Sequence, residues 1–166
     1  MKRTIRGLLV FGSVLGLGVA TGGPVHAAPK PGERVCYQAH VADYGWLPEK
    51  CQGGQVGVTG QNKAIEKMRI TVSGLGRFCA SAHIRNIGDE QGERCANSGQ
   101  TVTVGTEGMA LPMEELMVWT DTLGALHGRA HVQNVGWKDP VVAFPTMWLG
   151  TRGQARNLEA IEMWIE

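Results

Sequence analysis

The sequence predicts an all-β domain in which three similar repeats close on themselves, in the manner of a β-prism or a β-trefoil. Three observations favour this fold class. An Ala-His-apolar triplet occurs three times in 166 residues, at spacings of 43 and 48 residues. The last segment of each copy alternates apolar and polar residues, as half-buried strands do. Glycine-rich stretches that suit turns lie between the segments. Periods of this length are typical of repeat arrays and closed pseudosymmetric folds.

Each repeat has the same order of motifs. The triplet is followed by a glycine, which precedes Trp in the first and third copies and Asp in the second, and then by a G-x-x-G block and a glutamate within an apolar run. The repeats span about 35–74, 78–121 and 126–166. The shared residues are the histidines His40, His83 and His131, the glutamates Glu66, Glu114 and Glu159, and the tryptophans Trp46 and Trp137.

The end of the first repeat gives the clearest strand pattern. Met68, Ile70 and Val72 fall on one face of an extended segment, and the residues between them are polar. Residues 113–119 contain good helix formers, but the pattern of the two sister copies predicts a strand there too. Because the last predicted strand ends near residue 165, we expect three units that close and so hide their sheet edges. An open three-unit solenoid is the alternative.

The first 27 residues resemble a secretory signal peptide. Three basic residues precede a short apolar stretch over 7–20, and we expect cleavage after Ala27. The stretch is shorter than the roughly 20 apolar residues of a membrane span. We therefore expect a secreted, extracellular or cell-surface protein, with a short tail at 28–34, a single domain at 35–166 and no membrane attachment after cleavage.

Charge and motif content exclude several classes of function. Without the leader, 13 Lys and Arg residues face 15 Asp and Glu residues, with no basic cluster of the kind that nucleic-acid binding needs. Three equivalent environments do not readily supply the unequal acid and base that catalysis requires. The common nucleophile, metalloprotease and phosphate-loop motifs are also missing from the sequence. We expect a non-enzymatic protein without a cofactor.

The repeat predicts how the four cysteines pair. Exported cysteines form disulfides, and four of them allow three pairings. The third repeat lacks both cysteine positions: His127 stands at the first, and the second falls near residue 142 or 143. Loss of both positions together is expected of partners that bond within one repeat. The predicted disulfides are Cys36–Cys51 and Cys79–Cys95.

The ordered motifs carry a family resemblance. Tyr-x-Ala-His-Val-x-x-x-Gly-Trp at 37–46, Gly-x-Thr-Gly-Gln at 57–61 and the Ile-Glu run at 65–70 resemble the clostridial hydrophobic repeat with its Trp, the ChW repeat. The third repeat is equally close, whereas the second departs at Asp89 and Met109. The resemblance implies a secreted or surface-associated bacterial protein whose repeats, usually in sets of three, bind macromolecules or surfaces.

The repeated histidines have two interpretations. A threefold axis could gather them as metal ligands. We favour a structural hypothesis without metal, because a histidine in a strand is more often hydrogen bonded within the fold. The predicted pairs are His40 with Glu66, His83 with Glu114, and His131 with Glu159.

The tryptophans favour a binding function. A Trp at a turn can stack on a sugar or anchor a protein contact. We predict sites at Trp46 and Trp137, rimmed by Gln61 and Gln154, for a glycan, a cell-surface polymer or another extracellular macromolecule. Core packing is the alternative role for these tryptophans. Two other functions stay open: a protease inhibitor presenting loop 46–55, and a self-associating surface protein.

Overall fold

The structure is a computed structural model that describes residues 28–166, apart from the side chains of Glu90 and Gln91. The expected signal peptide lies outside the described residues. All regular elements from residue 28 onward are β-strands, which confirms the predicted all-β class. Within this part of the chain, no helix has the length and apolar character needed to cross a membrane.

The strands are numbered β1 to β14 along the chain. The first repeat contains β1 (Arg34–Val41), β2 (Gly45–Trp46), β3 (Lys50–Cys51), β4 (Val56–Gly57) and β5 (Ile65–Ser73). The second contains β6 (Arg77–Ile84), β7 (Gly88–Asn97), β8 (Thr101–Gly105) and β9 (Met113–Thr120). The third contains β10 (Leu126–Val132), β11 (Gly136–Trp137), β12 (Val141–Val142), β13 (Thr146–Gly150) and β14 (Leu158–Ile165).

Three antiparallel sheets result, and each one takes strands from two repeats. In every repeat the first and last long strands pair with each other: β1 with β5, β6 with β9, and β10 with β14. A strand from another repeat then joins the outer side of the last strand: β8 joins β5, β13 joins β9, and β4 joins β14. The second repeat thus gives one strand to the sheet of the first repeat, the third repeat gives one to the second, and the first repeat gives one to the third. This cyclic exchange closes the ring, as the sequence predicts, and gives a prism-like arrangement of three sheets.

One hydrophobic core lies between the inner faces of the three sheets. Met68, Ile70 and Val72 are fully buried while Arg69 between them is exposed, so the predicted alternation is confirmed. Burying a large aliphatic side chain contributes about 1.5–3 kcal/mol. Residues 113–119 lie in a strand, which confirms the prediction from symmetry. The inward packing of three sheets therefore supplies the main stabilisation of the fold.

Tyr37 joins the first repeat to the third inside this core. Its side chain is 1% exposed. The hydroxyl donates to the carbonyl oxygen of Gly54 at 2.6 Å and accepts from the backbone N–H of Met163 at 2.8 Å. Burial raises the pKa of Tyr37 to about 12, because the charged phenolate is poorly solvated there.

The first glycine of each G-x-x-G block allows the donated strand to approach its sheet. These glycines have positive φ, and a side chain on any of them would collide with the backbone of the receiving strand. A larger residue would force the two strands apart. The donated glycines and the carbonyls they approach are Gly57 with Glu159, Gly105 with Glu66, and Gly150 with Glu114.

Both disulfides form within a repeat, as predicted. Cys36 bonds Cys51 and Cys79 bonds Cys95, each pair facing directly across two antiparallel strands. In the third repeat the corresponding cross-strand pair is His127 and Val142. His127 instead stacks on Trp164, with ring centroids 5.8 Å apart.

Candidate binding sites at the repeat junctions

The exchanged strands create three junctions, each formed by the hairpin of one repeat and the G-x-x-G loop of another. Junction one combines hairpin 41–46 with loop 105–110, junction two combines 84–89 with 150–155, and junction three combines 132–137 with 57–62. Each hairpin turns through an Asp or Asn with positive φ, a conformation that these two residue types tolerate: Asp43, Asn86 and Asn134. Each junction therefore places a repeat histidine and glutamate beside a loop from a different repeat.

In junction one the histidine, the glutamate and the tryptophan are in contact. His40 Nδ1 lies 3.1 Å from Glu66 Oε2, and Glu66 is only 6% exposed. The Trp46 and His40 rings meet edge to face, with centroids 5.5 Å apart. The structure thus brings together the pair expected from the sequence and places the tryptophan against it.

Trp46 has further partners that the sequence motif does not contain. The guanidinium of Arg69 lies 4.0 Å from the centre of the Trp46 ring, a cation–π geometry. The Glu107 carboxylate of the exchanged loop lies beside the Trp46 side chain. Lys67 Nζ donates to Glu107 Oε2 at 3.2 Å, and this contact is the main reason that the pKa of Glu107 lies below its ordinary value. Trp46 is therefore half-buried and held in one orientation.

Junction three repeats this arrangement around Trp137. His131 Nδ1 lies 3.0 Å from Glu159 Oε2, within ion-pair distance but not aligned as a hydrogen bond. Glu159 is 1% exposed and also accepts the backbone N–H of Gly60 at 3.1 Å. Because Gly60 belongs to the first repeat, the glutamate holds the exchanged loop in place. The Trp137 and His131 rings again meet edge to face at 5.5 Å.

A cation covers the tryptophan in both junctions, but it comes from different strands. Arg129 lies 4.7 Å from the centre of the Trp137 ring. Arg129 belongs to β10, the first strand of its repeat, whereas Arg69 belongs to β5, the last strand of its repeat. Their cross-strand partners are Glu162 and Gln38. In the second repeat, Ser81 stands at the position of Arg129 and Met117 at the position of Arg69. The repeat that lacks this tryptophan therefore also lacks the arginine.

Junction two differs, and it corrects the predicted pairing of His83 with Glu114. His83 Nδ1 lies 3.0 Å from Asp89 Oδ1, because this carboxylate stands where the other repeats have Trp. Glu114 accepts instead from Arg85 Nε at 2.7 Å. Arg152 of the third repeat also binds Asp89, at 3.1 Å. The hydrogen bond from His83, with help from Arg152, lowers the pKa of Asp89.

The structure does not gather the three histidines into a metal site. They lie on β1, β6 and β10 of three different sheets, and their Nδ1 atoms face carboxylates. Within residues 28–166, the groups of possible metal-binding residues consist of two cysteines and a glutamate. Those cysteines are disulfide-bonded and offer no thiolate.

The two predicted rim glutamines lie in exchanged loops. Gln61 Oε1 accepts from the Tyr44 hydroxyl at 2.9 Å. Gln154 is exposed in the loop of junction two, between Gly153 and Ala155, whereas Trp137 lies in junction three. Gln61 therefore contacts the hairpin of Trp46, as expected, whereas Gln154 lies away from Trp137 because strand exchange, which the motif does not show, carries its loop to junction two. Sequence reasoning also missed Arg69 and Arg129, which no shared sequence position indicates.

Comparison with known proteins agrees with this geometry. A family model described as ChW, Clostridial hydrophobic W, matches residues 40–74 and 131–166. The matched segments begin at His40 and His131 and include both junction tryptophans, whereas the second repeat lies outside them. Neither a curated protein nor a solved structure matches the chain. By its first and third repeats, the chain is consistent with a ChW-repeat protein.

Proposed function

We propose that this chain is a secreted, non-enzymatic binding domain that recognises a glycan or cell-surface polymer through the surfaces around Trp46 and Trp137. The ChW repeats fit a cell-surface protein, and the two disulfides are compatible with an oxidising extracellular compartment. The remaining support comes from the two equivalent tryptophan sites.

The main observation is that both tryptophans are fixed by the same set of contacts. Each ring meets a histidine edge and lies under an arginine guanidinium, and each tryptophan is half-buried. An aromatic side chain that is already ordered loses little conformational freedom when a ligand binds. Its neighbouring charged groups supply hydrogen bonds to polar ligand atoms, while the ring supplies an apolar contact. This combination suits the mixed polar and apolar surface of a carbohydrate.

The buried carboxylates favour binding over catalysis. Glu66 and Glu159 face histidines within their own sheets, and Glu114 is paired with Arg85. A catalytic acid and base need distinct environments around a reacting group. We propose that these carboxylates instead fix the junctions, and that the protein acts without chemical turnover.

A pull-down with insoluble polysaccharides, together with a glycan array, tests this function. The Trp46→Ala, Trp137→Ala double variant is expected to lose binding by about tenfold or more, because central aromatic contacts dominate interface energy. Trp148→Ala is the matched control, since Trp148 is 56% exposed and lies outside both sites. Circular dichroism checks folding, and a Trp46→Phe, Trp137→Phe variant preserves aromatic packing if alanine unfolds the domain. Equal retention of the folded double variant and the parent protein would refute the proposed sites.

A second candidate function, self-association, has its own observation. Phe144 and Trp148 in the third repeat are 71% and 56% exposed, and Val141 and Val142 of β12 are exposed too. Exposed large apolar groups concentrated in one region mark interaction surfaces. Light scattering over a concentration series tests this function, with Phe144→Ser, Trp148→Ser as the variant. A parent protein that stays monomeric at every concentration would exclude it.

A further inference from the structure

Junction two contains a surface cleft that the tryptophan sites do not use. Its volume is about 400 Å³, which lies within the range of small-molecule binding sites. One wall is the hairpin of the second repeat, including Ile84 and Ile87, and the other is the loop of the third repeat at Gly153 and Ala155. Arg85 and Glu114 also line the cleft. It therefore combines apolar surface with one cation and one anion.

The arginine in this cleft has an unused donor. Arg85 Nε donates to Glu114 Oε1 at 2.7 Å, but Arg85 Nη2 is buried and has no hydrogen-bond partner in the described part of the chain. A buried N–H without an acceptor is unfavourable, because it has lost its water and gained nothing in return. Glu114 is 3% exposed, and a carboxylate can accept more hydrogen bonds than the one from Arg85. The cleft therefore offers a donor and an acceptor side by side.

The matching position in junction three is filled by the protein itself. Gln133 stands where the second repeat has Arg85, and its side chain donates to Asn62 at 3.1 Å and accepts from the backbone N–H of Asn157 at 3.1 Å. Glu159 there accepts the N–H of Gly60 from the exchanged loop. These contacts occupy both ends of the Gln133 side chain without a ligand, although Asn157 Oδ1 and His131 Nδ1 stay buried without a hydrogen-bond partner in the described residues. The first repeat has Ala42 at the same position, so the arginine is particular to the second repeat.

We propose that the junction-two cleft binds one neutral pyranose ring that has two adjacent free hydroxyl groups. One hydroxyl oxygen accepts from Arg85 Nη2, and the neighbouring hydroxyl donates to the Glu114 carboxylate. The apolar C–H face of the sugar packs against Ile87, which is 49% exposed. A neutral ligand is favoured because Arg85 and Glu114 offset each other, and because His83 is already paired with Asp89. This site is independent of Trp46 and Trp137.

Amide-resolved NMR of the purified protein tests the proposal. The probes are the methyl pyranosides of glucose, galactose, mannose and N-acetylglucosamine, with sodium sulfate and acetate as anionic probes. At least one pyranoside is expected to shift the amides of Ile87, Gly88 and Gly153, with a dissociation constant in the millimolar range. An oligosaccharide ending in that sugar then distinguishes a free monosaccharide from a glycan end: tighter binding assigns the glycan, and equal binding assigns the monosaccharide.

Two variants use residues that the fold already accommodates at this position. Arg85→Gln and Arg85→Ala introduce the residue types found in the third and first repeats, and each is expected to weaken pyranoside binding by about tenfold or more. Arg77→Gln, on the exposed start of β6, is the matched control and should bind like the parent. The Trp46→Ala, Trp137→Ala variant should keep this binding, so a failure of the tryptophan sites is distinguishable from a failure of the cleft. The proposal is overturned if no pyranoside shifts these amides, if folded Arg85→Gln binds as tightly as the parent, or if an anion binds better than every pyranoside.

Discussion

Replacing Glu159 by Gln tests whether the buried carboxylate holds junction three together. The carboxylate is 1% exposed, lies 3.0 Å from His131 Nδ1 and accepts the N–H of Gly60 at 3.1 Å. Glutamine keeps an oxygen for Gly60 but removes the negative charge that both contacts use. Hydrogen bonds to charged groups contribute about 1.5–3 kcal/mol, against about 1 kcal/mol for neutral ones. On this scale the Gly60 bond alone loses about 0.5–2 kcal/mol. Loss of the ion-pair contact with His131 adds to it, so the expected total is about 2 kcal/mol of unfolding free energy.

Thermal unfolding at neutral pH measures this loss. For a domain of this size, about 2 kcal/mol corresponds to a decrease in Tm of roughly 5–10 °C. Glu66→Gln is expected to lower Tm as well, because the buried Glu66 carboxylate is hydrogen bonded to His40. Glu49→Gln is the control, since Glu49 is exposed. A melting curve for Glu159→Gln that superimposes on that of the parent would refute the structural role of the carboxylate.

Three further predictions concern stability. Tyr37→Phe removes the partner of the buried Met163 N–H and of the partly buried Gly54 carbonyl, so chemical denaturation should show a loss of about 1–3 kcal/mol. Because the pKa of Tyr37 is raised to about 12, the folded state keeps a proton that the unfolded state loses above about pH 10. Stability should therefore fall between about pH 10 and 12 by roughly 1.4 kcal/mol per pH unit, and the Phe variant should lack this slope; an equal slope in both proteins would contradict the assignment. Replacing Cys36 and Cys51 by alanine should cost about 3 kcal/mol in the same assay, as the chain-entropy model gives for a loop of this length, and an unchanged midpoint would exclude that contribution. The pKa of Asp89 is lowered mainly by His83, so the stability it contributes is present above the ordinary value of 3.8 and is lost as pH falls through the lower folded value. Since Asp89 is largely exposed, Asp89→Asn should cost less than about 1 kcal/mol at neutral pH, with the difference from the parent vanishing in acid; a difference that persists in acid would rule out this ion-pair effect.

The features that were predictable from sequence are those that recur within each repeat. The alternation at Met68, Ile70 and Val72 reports burial directly, because each strand has one inner and one outer face. Disulfide pairing was predictable because the third repeat lacks both cysteines, which distinguished one of three connectivities. Both inferences needed only comparison among copies of one local unit.

The exchange of strands was not predictable in the same way. Each G-x-x-G block has the same local pattern whichever sheet receives it, so the receiving sheet depends on contacts between distant parts of the chain. The second repeat was mispredicted for a local reason: Asp89, six residues after His83, pairs with this histidine, and Arg85 pairs with Glu114. Side chains that act across repeats, such as Glu107 at Trp46, become visible only in the folded arrangement.

Charges at the exchanged loops distinguish two of the three receiving sheets. Lys67 of the first repeat faces Glu107 of the second, whereas Glu115 of the second repeat faces Arg152 of the third. The receiving strand carries the positive charge in junction one and the negative charge in junction two. Inserting loop 105–110 into the sheet of the second repeat would bring Glu107 toward Glu115, two like charges. The pairs therefore favour one order of strand exchange over another. Repulsion between like charges disfavours insertion of a loop into the wrong sheet.

Cyclic exchange has a consequence for how the chain reaches its folded state. Each repeat contributes to two sheets, so none of them can complete its sheet alone, and the third sheet needs β4 from the first repeat beside β14 from the last. A linear repeat array can gain or lose one unit at a time, because each unit contacts only its neighbours. Here, detaching β4 opens the ring and exposes a sheet edge. We therefore expect folding to be a single cooperative event that depends on contacts between residues far apart in sequence, and to be slow for a domain of this size.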